Sequence, residues 1–179
     1  MHRIVLLDAL ADYRSRFPEE SETVERFCHF VANHADCFLR SLVSGHVTGS
    51  AWLVNGDGSK VLLTHHRKLE RWLQPGGHAD GDPDLLAVAL REAVEETGLD
   101  PIAPVSSRIF DIDIHPIPAR GNQPAHEHFD IRYALRHEGD GEFIISEESL
   151  DLAWVPIDAL DEYTNEESVL RLARKWAVS

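Results

Sequence analysis

The sequence predicts an α+β fold, a mixed sheet with helices on both sides and an N-terminal helical extension. Three observations carry this. Apolar residues in the first forty positions recur at threes and fours, as on one face of a helix. From His46 the pattern changes to strand-like runs separated by turn signals. A helical run, from about Pro83 to Thr97, is set between those strands.

Taken in order, residues 1–43 form the extension and 44–179 the main domain. In the extension Ile4, Leu7 and Leu10, with Ala11, keep helical spacing, and Pro18 separates this segment from a second. Ser21 to Val24 starts that second helix, and Val24, Phe27, Val31, Ala35 and Phe38 continue it. The extension packs on the main domain or serves as a homodimer surface, and the sequence leaves both open. Val47 to Val54 and Lys60 to His65 flank Asn55-Gly56-Asp57-Gly58, a hairpin signal. A strand-like run, Arg71 to Gln74, breaks at Pro75-Gly76-Gly77. The next helix takes Asp82 as N-cap and Pro83 in its first turn, and Gly98 suits a left-handed end. Ser107 to Ile117 and Glu127 to Arg136 are further strands, joined by an exposed polar loop, Pro118 to Pro124. Leu152 to Val155 is a short strand, Ile157 to Leu160 a turn, and Glu166 to Trp176 a closing helix with Val169, Leu170, Leu172 and Ala173 inward.

Composition narrows the function. The 179 residues are 43% hydrophobic and 27% charged, ordinary for one folded domain. Seventeen basic against 31 acidic residues give a net charge of −14, which disfavours nucleic acid and anionic membrane as partners. A small phosphorylated substrate remains compatible if divalent metal offsets the local field. Cys28 and Cys37 fit no metal-ligand pattern and read as buried, reduced thiols. The start meets Asp8 too soon for a signal peptide, and no stretch approaches a membrane span, so a cytoplasmic protein is expected.

The chemistry concentrates at Glu92, Glu95 and Glu96. Their spacing places three carboxylates within about a third of the helix circumference, at the margin of the face formed by Leu85, Leu86, Ala89, Leu90 and Ala93. Like charges so placed repel, and partial burial strengthens the repulsion. Hard oxygen ligands would draw Mg²⁺, Mn²⁺ or Ca²⁺; a solvated acidic face is the plainer alternative. Asp80, Asp82 and Asp84 open like an EF-hand loop, but its required glycine and glutamate positions hold Leu85 and Arg91.

Gly77, Arg91, Glu92, Glu95, Glu96, Gly98 and Leu99, preceded by Trp72-Leu73-Gln74-Pro75-Gly76, match the Nudix box in register. The chain therefore resembles the Nudix hydrolases, which cleave nucleoside diphosphates linked to another moiety. One position departs: Pro83 stands where the box has its first glutamate. The resemblance covers roughly residues 45 to 160. It implies an α/β/α sandwich and a Mg²⁺-dependent pyrophosphohydrolase, with Mn²⁺ able to substitute, acting on a small, nucleotide-derived substrate. It also implies metal ligation by Glu92, Glu95, Glu96 and the Gly77 carbonyl, with Glu95 and Glu96 the principal ligands. Glu92 ligates or takes the water's proton, and Arg91 and Gly98 are structural. A carboxylate from outside the box, from Glu127, Glu147 and Glu148, is a candidate further ligand or base.

Histidines supply the remaining candidates. His126, His128, Asp130 and Arg132 alternate on one strand face, opposite Phe129, Ile131, Tyr133 and Leu135. That polar row is a solvent-facing edge, a phosphate or substrate contact, or a transition-metal site. His78, directly after Gly77, is expected to touch substrate, as are His126 and His128. A non-catalytic nucleotide- or metabolite-sensing domain is the alternative function, and Pro83 is the feature that favours it. Isoprenoid diphosphate isomerisation would want a reactive cysteine near the cleft, and both cysteines stand in the extension.

Overall fold

The computed structural model describes residues 2–139, 143–145 and 149–178. Helix α1 (His2–Arg16), a 3₁₀ turn (Pro18–Glu20) and α2 (Ser21–Asn33) form the extension. Strands β1 (Gly45–Asn55), β2 (Lys60–His66), β3 (Arg71–Leu73) and β4 (Gly76–His78) precede α3 (Leu85–Thr97). Then come β5 (Ile102–Pro104), β6 (Asp111–Ile117), β7 (His126–His137), β8 (Ser149–Pro156), a second 3₁₀ segment (Ile157–Glu162) and α4 (Glu167–Trp176).

Among the described residues, eight strands form one mixed sheet. Strand β1 runs parallel to β7 along its whole length, from Gly45 opposite Glu127 to Asn55 opposite His137. The hairpin pairs β1 and β2 at Val54 and Val61 and then opens. Beyond that point β1 turns to β4, and β2 pairs with β3 and β8. One face carries Val47, Ala51, Leu53, Phe129, Ile131 and Leu135 against α1, α2 and α3. The other carries Trp52, Val54, Val61, Leu63 and Val155 against Val169 and Leu172 of α4. Helix α3 lies close on β1 because residue 49 is glycine: a Cβ there would sit 2.9 Å from Val88 Cγ1.

Several expectations are corrected. In α1 the buried residues are Leu6, Leu10 and Tyr13, whereas Ile4 is exposed. Both sets satisfy helical spacing, and Tyr13 decides between them through its polar partners, described below. Helix α2 stops at Asn33, and Arg3 Nη1 donates to the Val31 and Ala32 carbonyls at its end, at 3.0 and 2.9 Å. Ala35 is consequently outside the helix and exposed, while Phe38 is buried from the following turns. Helix α3 begins at Leu85, with Asp84 rather than Asp82 as its cap: Asp84 Oδ1 accepts from Ala87 N at 3.1 Å. Asp82 Oδ1 instead accepts from Asp84 N at 2.9 Å, so Pro83 stands before the helix within an Asx-type turn. Gly98 takes the left-handed end, with φ 69°. Leu86 and Leu90 are only partly buried, and Val88 fills the core in their place. Cys28 is likewise only partly buried; both cysteines are free.

An ion-pair network joins the extension to the sheet. Asp111, fully buried on β6, receives Arg171 Nη2 of α4 at 2.8 Å and Arg132 Nη1 of β7 at 3.2 Å, and also contacts Lys175 Nζ. Lys175 reaches on to Tyr13 and Glu20 of the extension. Asp113 takes Arg132 and Arg171 at 3.2 and 3.1 Å. Burial alone would raise both carboxyls, but the bonds from Arg171 to Asp111 and from His115 to Asp113, with the surrounding cations, hold them below the usual carboxylate range. The unfolded chain therefore binds these protons first. The stability they confer is present above about pH 4 and is lost as pH falls further. Thermal midpoints at about pH 5 and pH 3 test this: the drop should be smaller in Asp113→Asn than in the wild type. Equal drops would show that this carboxylate is not part of the acid response.

Candidate functional site

Two groups of side chains meet at β4, one from each face of the sheet. From the helical side, α3 presents the box. Glu96 Oε1 accepts from the backbone N–H of Gly76 at 2.9 Å, which makes the box helix a clamp on the Pro75-Gly76-Gly77 segment. The Glu92 carboxylate lies against Gly77, where a Cβ would be 2.3 Å from it. Arg91 Nη2 donates to Glu92 Oε1 at 2.9 Å and to the His78 carbonyl at 3.0 Å, bridging helix and strand. Glu95 is the outermost of the three, its side chain 63% exposed and 3.9 Å from Arg91 Nε. The three carboxylates thus share one side of α3, with Glu92 and Glu96 against the loop backbone and Glu95 toward solvent. Gly98 ends that helix and its N–H bonds Val94 O at 2.8 Å.

The Gly77 geometry gives a prediction. Gly77→Ala needs no strained backbone, but its methyl must displace the Glu92 carboxylate. Because that carboxylate is the end of a flexible side chain, the melting temperature should hardly move. Turnover should fall about 100-fold, the scale set by angstrom-level misplacement. Unchanged turnover would separate Glu92 from the chemistry.

The opposite face is built by register. His46, His128 and His115 lie abreast on β1, β7 and β6; Thr48, Asp130 and Asp113 form the next row, and Ser50, Arg132 and Asp111 the third. His78 pairs with Thr48 and joins the same face. The rows pass from imidazoles through hydroxyls to fixed charge. Asp130 Oδ1 accepts from the Thr48 and Ser50 hydroxyls, both at 2.8 Å, and its Oδ2 accepts from Arg132 Nε at 2.8 Å.

The HxHxD row is therefore not a solvent-facing edge: His126, Asp130 and Arg132 are buried. Its polarity is matched from β1 and β6, which single-strand alternation does not reveal. His78 and His128 do meet, with ring centroids 5.1 Å apart, and His126 is 5.2 Å from His128. His46, not anticipated as a site residue, is the hub, 4.8 to 5.1 Å from His78, His126 and His128. Burial first, then mutual repulsion and nearby Arg40, pushes His78 down to about 4 and lowers His46. Burial with four neighbouring histidines pushes His128 down to about 2. Each shift favours the neutral ring.

Glu127 points away from this row. It pairs with Arg26 of α2 at 2.9 Å, which marks it as a tie between extension and sheet. Glu147 and Glu148 lie outside the described residues. On the β2–β3 side, Trp72 stacks on His65 with centroids 5.0 Å apart and meets Tyr163 edge-on at 5.7 Å. Arg71, Trp72, Tyr163 and Glu166 line a cleft of about 310 Å³ beside them.

Comparison with known proteins agrees with the box. The model of the NUDIX domain matches residues 45–175, and the chain belongs to this family. A probable DHNTP pyrophosphohydrolase of Lactococcus lactis subsp. cremoris (strain MG1363) is 30% identical over 125 residues, 69% of each chain. The m7GpppN-mRNA hydrolase NUDT17 of Danio rerio is 40% identical over 65 residues, 34% of this chain and only 22% of that relative. Among solved structures, a C. elegans Ap4A hydrolase binary complex superposes with TM-score 0.60 at 16% identity, covering 74% of this chain and 95% of that one. A MutT protein from Methanosarcina mazei Go1 gives TM-score 0.60 at 18% identity, covering 76% and 95%. At these identities the structures speak for the fold alone.

Proposed function

We propose that this chain is a divalent-metal-dependent hydrolase that cleaves a phosphoanhydride bond in a nucleoside diphosphate linked to another moiety. The observation that carries the reading is the seating of Glu92 and Glu96 against the Gly76-Gly77 backbone, beside Glu95 on the same helix. This is an all-oxygen donor set of the kind hard cations take, and glycine at 77 leaves the carboxylate its place. Mg²⁺, or Mn²⁺ in its stead, held by Glu92, Glu95, Glu96 and the Gly77 carbonyl, would offset phosphate charge and acidify the attacking water. Glu92 is the candidate to accept that water's proton. Arg91 keeps Glu92 and β4 in fixed relation, a positioning role. The expected substrate contacts His78, His126 and His128 stand on the sheet face opposite the box carboxylates, so phosphate held at the box is not assigned to them. The Trp72–His65 stack and the adjoining cleft suit an aromatic base or other flat moiety. The relative named a probable DHNTP pyrophosphohydrolase points to the same reaction class.

Domain limits of 1–43 and 44–179 belong to this reading, as the family match begins at residue 45. So does a cytoplasmic location, in keeping with two free cysteines. The test is incubation with Mg²⁺ and a panel of dinucleotides, nucleotide sugars and nucleoside triphosphates, reading released phosphate and nucleoside monophosphate. Turnover of at least one of them is expected. Tight binding across the panel without product would establish the sensing domain that Pro83 favours instead.

A further inference from the structure

We propose that His46, His78 and His128 form a second metal site, separate from the box carboxylates, which takes a transition ion of the zinc type with His126 as a fourth ligand. Among the described residues, His46, His78 and His128 are the group of three or more such side chains whose potential ligand atoms all lie within 4.8 Å of one another. Around a tetrahedral ion at about 2.1 Å, nitrogens stand about 3.4 Å apart, a closure that ring rotation supplies.

Three of the four rings carry a buried nitrogen with no other employment. Nε2 of His46, His126 and His128 are all buried and without a hydrogen-bond partner. Folded proteins rarely leave such atoms unsatisfied, and each exception calls for a ligand or a structural reason. At His126 the tautomer is fixed by geometry. Its Nδ1 lies 3.0 Å from the Pro124 carbonyl, which can only accept, so Nδ1 carries the hydrogen and, in the neutral ring, the lone pair is on Nε2. A ring held through one nitrogen by a carbonyl, with the other nitrogen left open, is how metal-binding histidines are oriented. His46 sits among the three other rings and is almost completely buried.

Donor chemistry separates the two sites. Neutral imidazoles suit Zn²⁺ and its first-row neighbours, whereas carboxylates suit Mg²⁺. The histidines occupy the sheet face opposite α3, so an ion there would hold β4 through His78 while Glu92 and Glu96 hold it from the other side. The inference does not depend on the proposed hydrolysis.

The experiment titrates Co²⁺, then Zn²⁺, into chelator-stripped full-length protein in millimolar Mg²⁺, with Co²⁺ visible absorption and calorimetry as readouts. One ion per chain with an intense tetrahedral band is expected. His128→Gln, at a half-buried position, should weaken binding at least about tenfold, no less than loss of an orienting partner does. His46→Gln should do the same, and Glu96→Gln should leave the band unchanged. Nitrogen-detected spectra of the wild-type imidazoles, which need no variant, should show Zn²⁺ shifting ring resonances of His46, His78 and His128. Absence of a band, or a band that survives both histidine variants, or one lost in Glu96→Gln alone, would overturn the proposal. Failure of the nucleotide panel would leave it standing.

Discussion

Glu96→Gln is expected to lower turnover about 10²- to 10³-fold, the loss of several kcal/mol of charge stabilisation at the transition state, while the protein remains folded. The geometry makes this substitution informative. Glu96 Oε1 accepts the Gly76 N–H, and the amide oxygen of glutamine can accept it equally. What disappears is the charge, not the clamp on β4. Repulsion among the three box acids is relieved at the same time, so the melting temperature without Mg²⁺ should stay level or rise. Mg²⁺ should raise the wild-type melting temperature, and that rise should shrink in the variant. Steady-state rates in saturating Mg²⁺, with melting curves taken alongside, separate the outcomes. Wild-type turnover in Glu96→Gln would remove this glutamate from the catalytic site.

The second large effect is on stability. Asp111→Ala should destabilise the protein by about 3–5 kcal/mol, because it strips a buried set of cations of their shared acceptor. Arg132 is fully buried, Lys175 nearly so, and both converge on Asp111 with Arg171. For a chain of this size each kcal/mol moves the melting temperature by about 2–4 °C, so a fall of at least about 6 °C is expected. The exposed pair Arg14–Glu25 is the control: Glu25→Ala should change stability by no more than about 1 kcal/mol. Comparable effects from the two substitutions would mean that the network is not a stabilising unit.

How much of this was legible in the sequence differs between the two faces of β4. The box side was readable because its parts are local. Gly77 through Gly98 lie in one short strand, one loop and one helix, where spacing fixes facing; the cap moved from Asp82 to Asp84 and Val88 took the core place expected of Leu86 and Leu90, but the three glutamates kept their side of the helix. The histidine side is assembled across strands about eighty residues apart, and parallel register of β1 with β7 is invisible to a pattern read along one strand. The clue was present twice. Asp111, Asp113 and His115 alternate on β6 just as His126, His128, Asp130 and Arg132 do on β7. Two polar alternations that face one another make a buried polar layer, whereas either alone reads as a wet edge. The same holds for α1, where Leu6–Leu10–Tyr13 and Ile4–Leu7 are equivalent by period, and the contact with Lys175 selects the first.

Strand β6 has a consequence for how the protein behaves at high concentration. It lies along the flank of the sheet, hydrogen-bonded to β7, and its sequence, Asp-Ile-Asp-Ile-His-Pro-Ile, has the alternation that recruits strands from other molecules. Its two aspartates are turned inward and locked to arginines, and Pro116 removes one backbone donor from the ladder. An incoming strand would have to register against that charge and that gap. The ionic cluster that fastens the first and last helices therefore also guards an open border against intermolecular zippering.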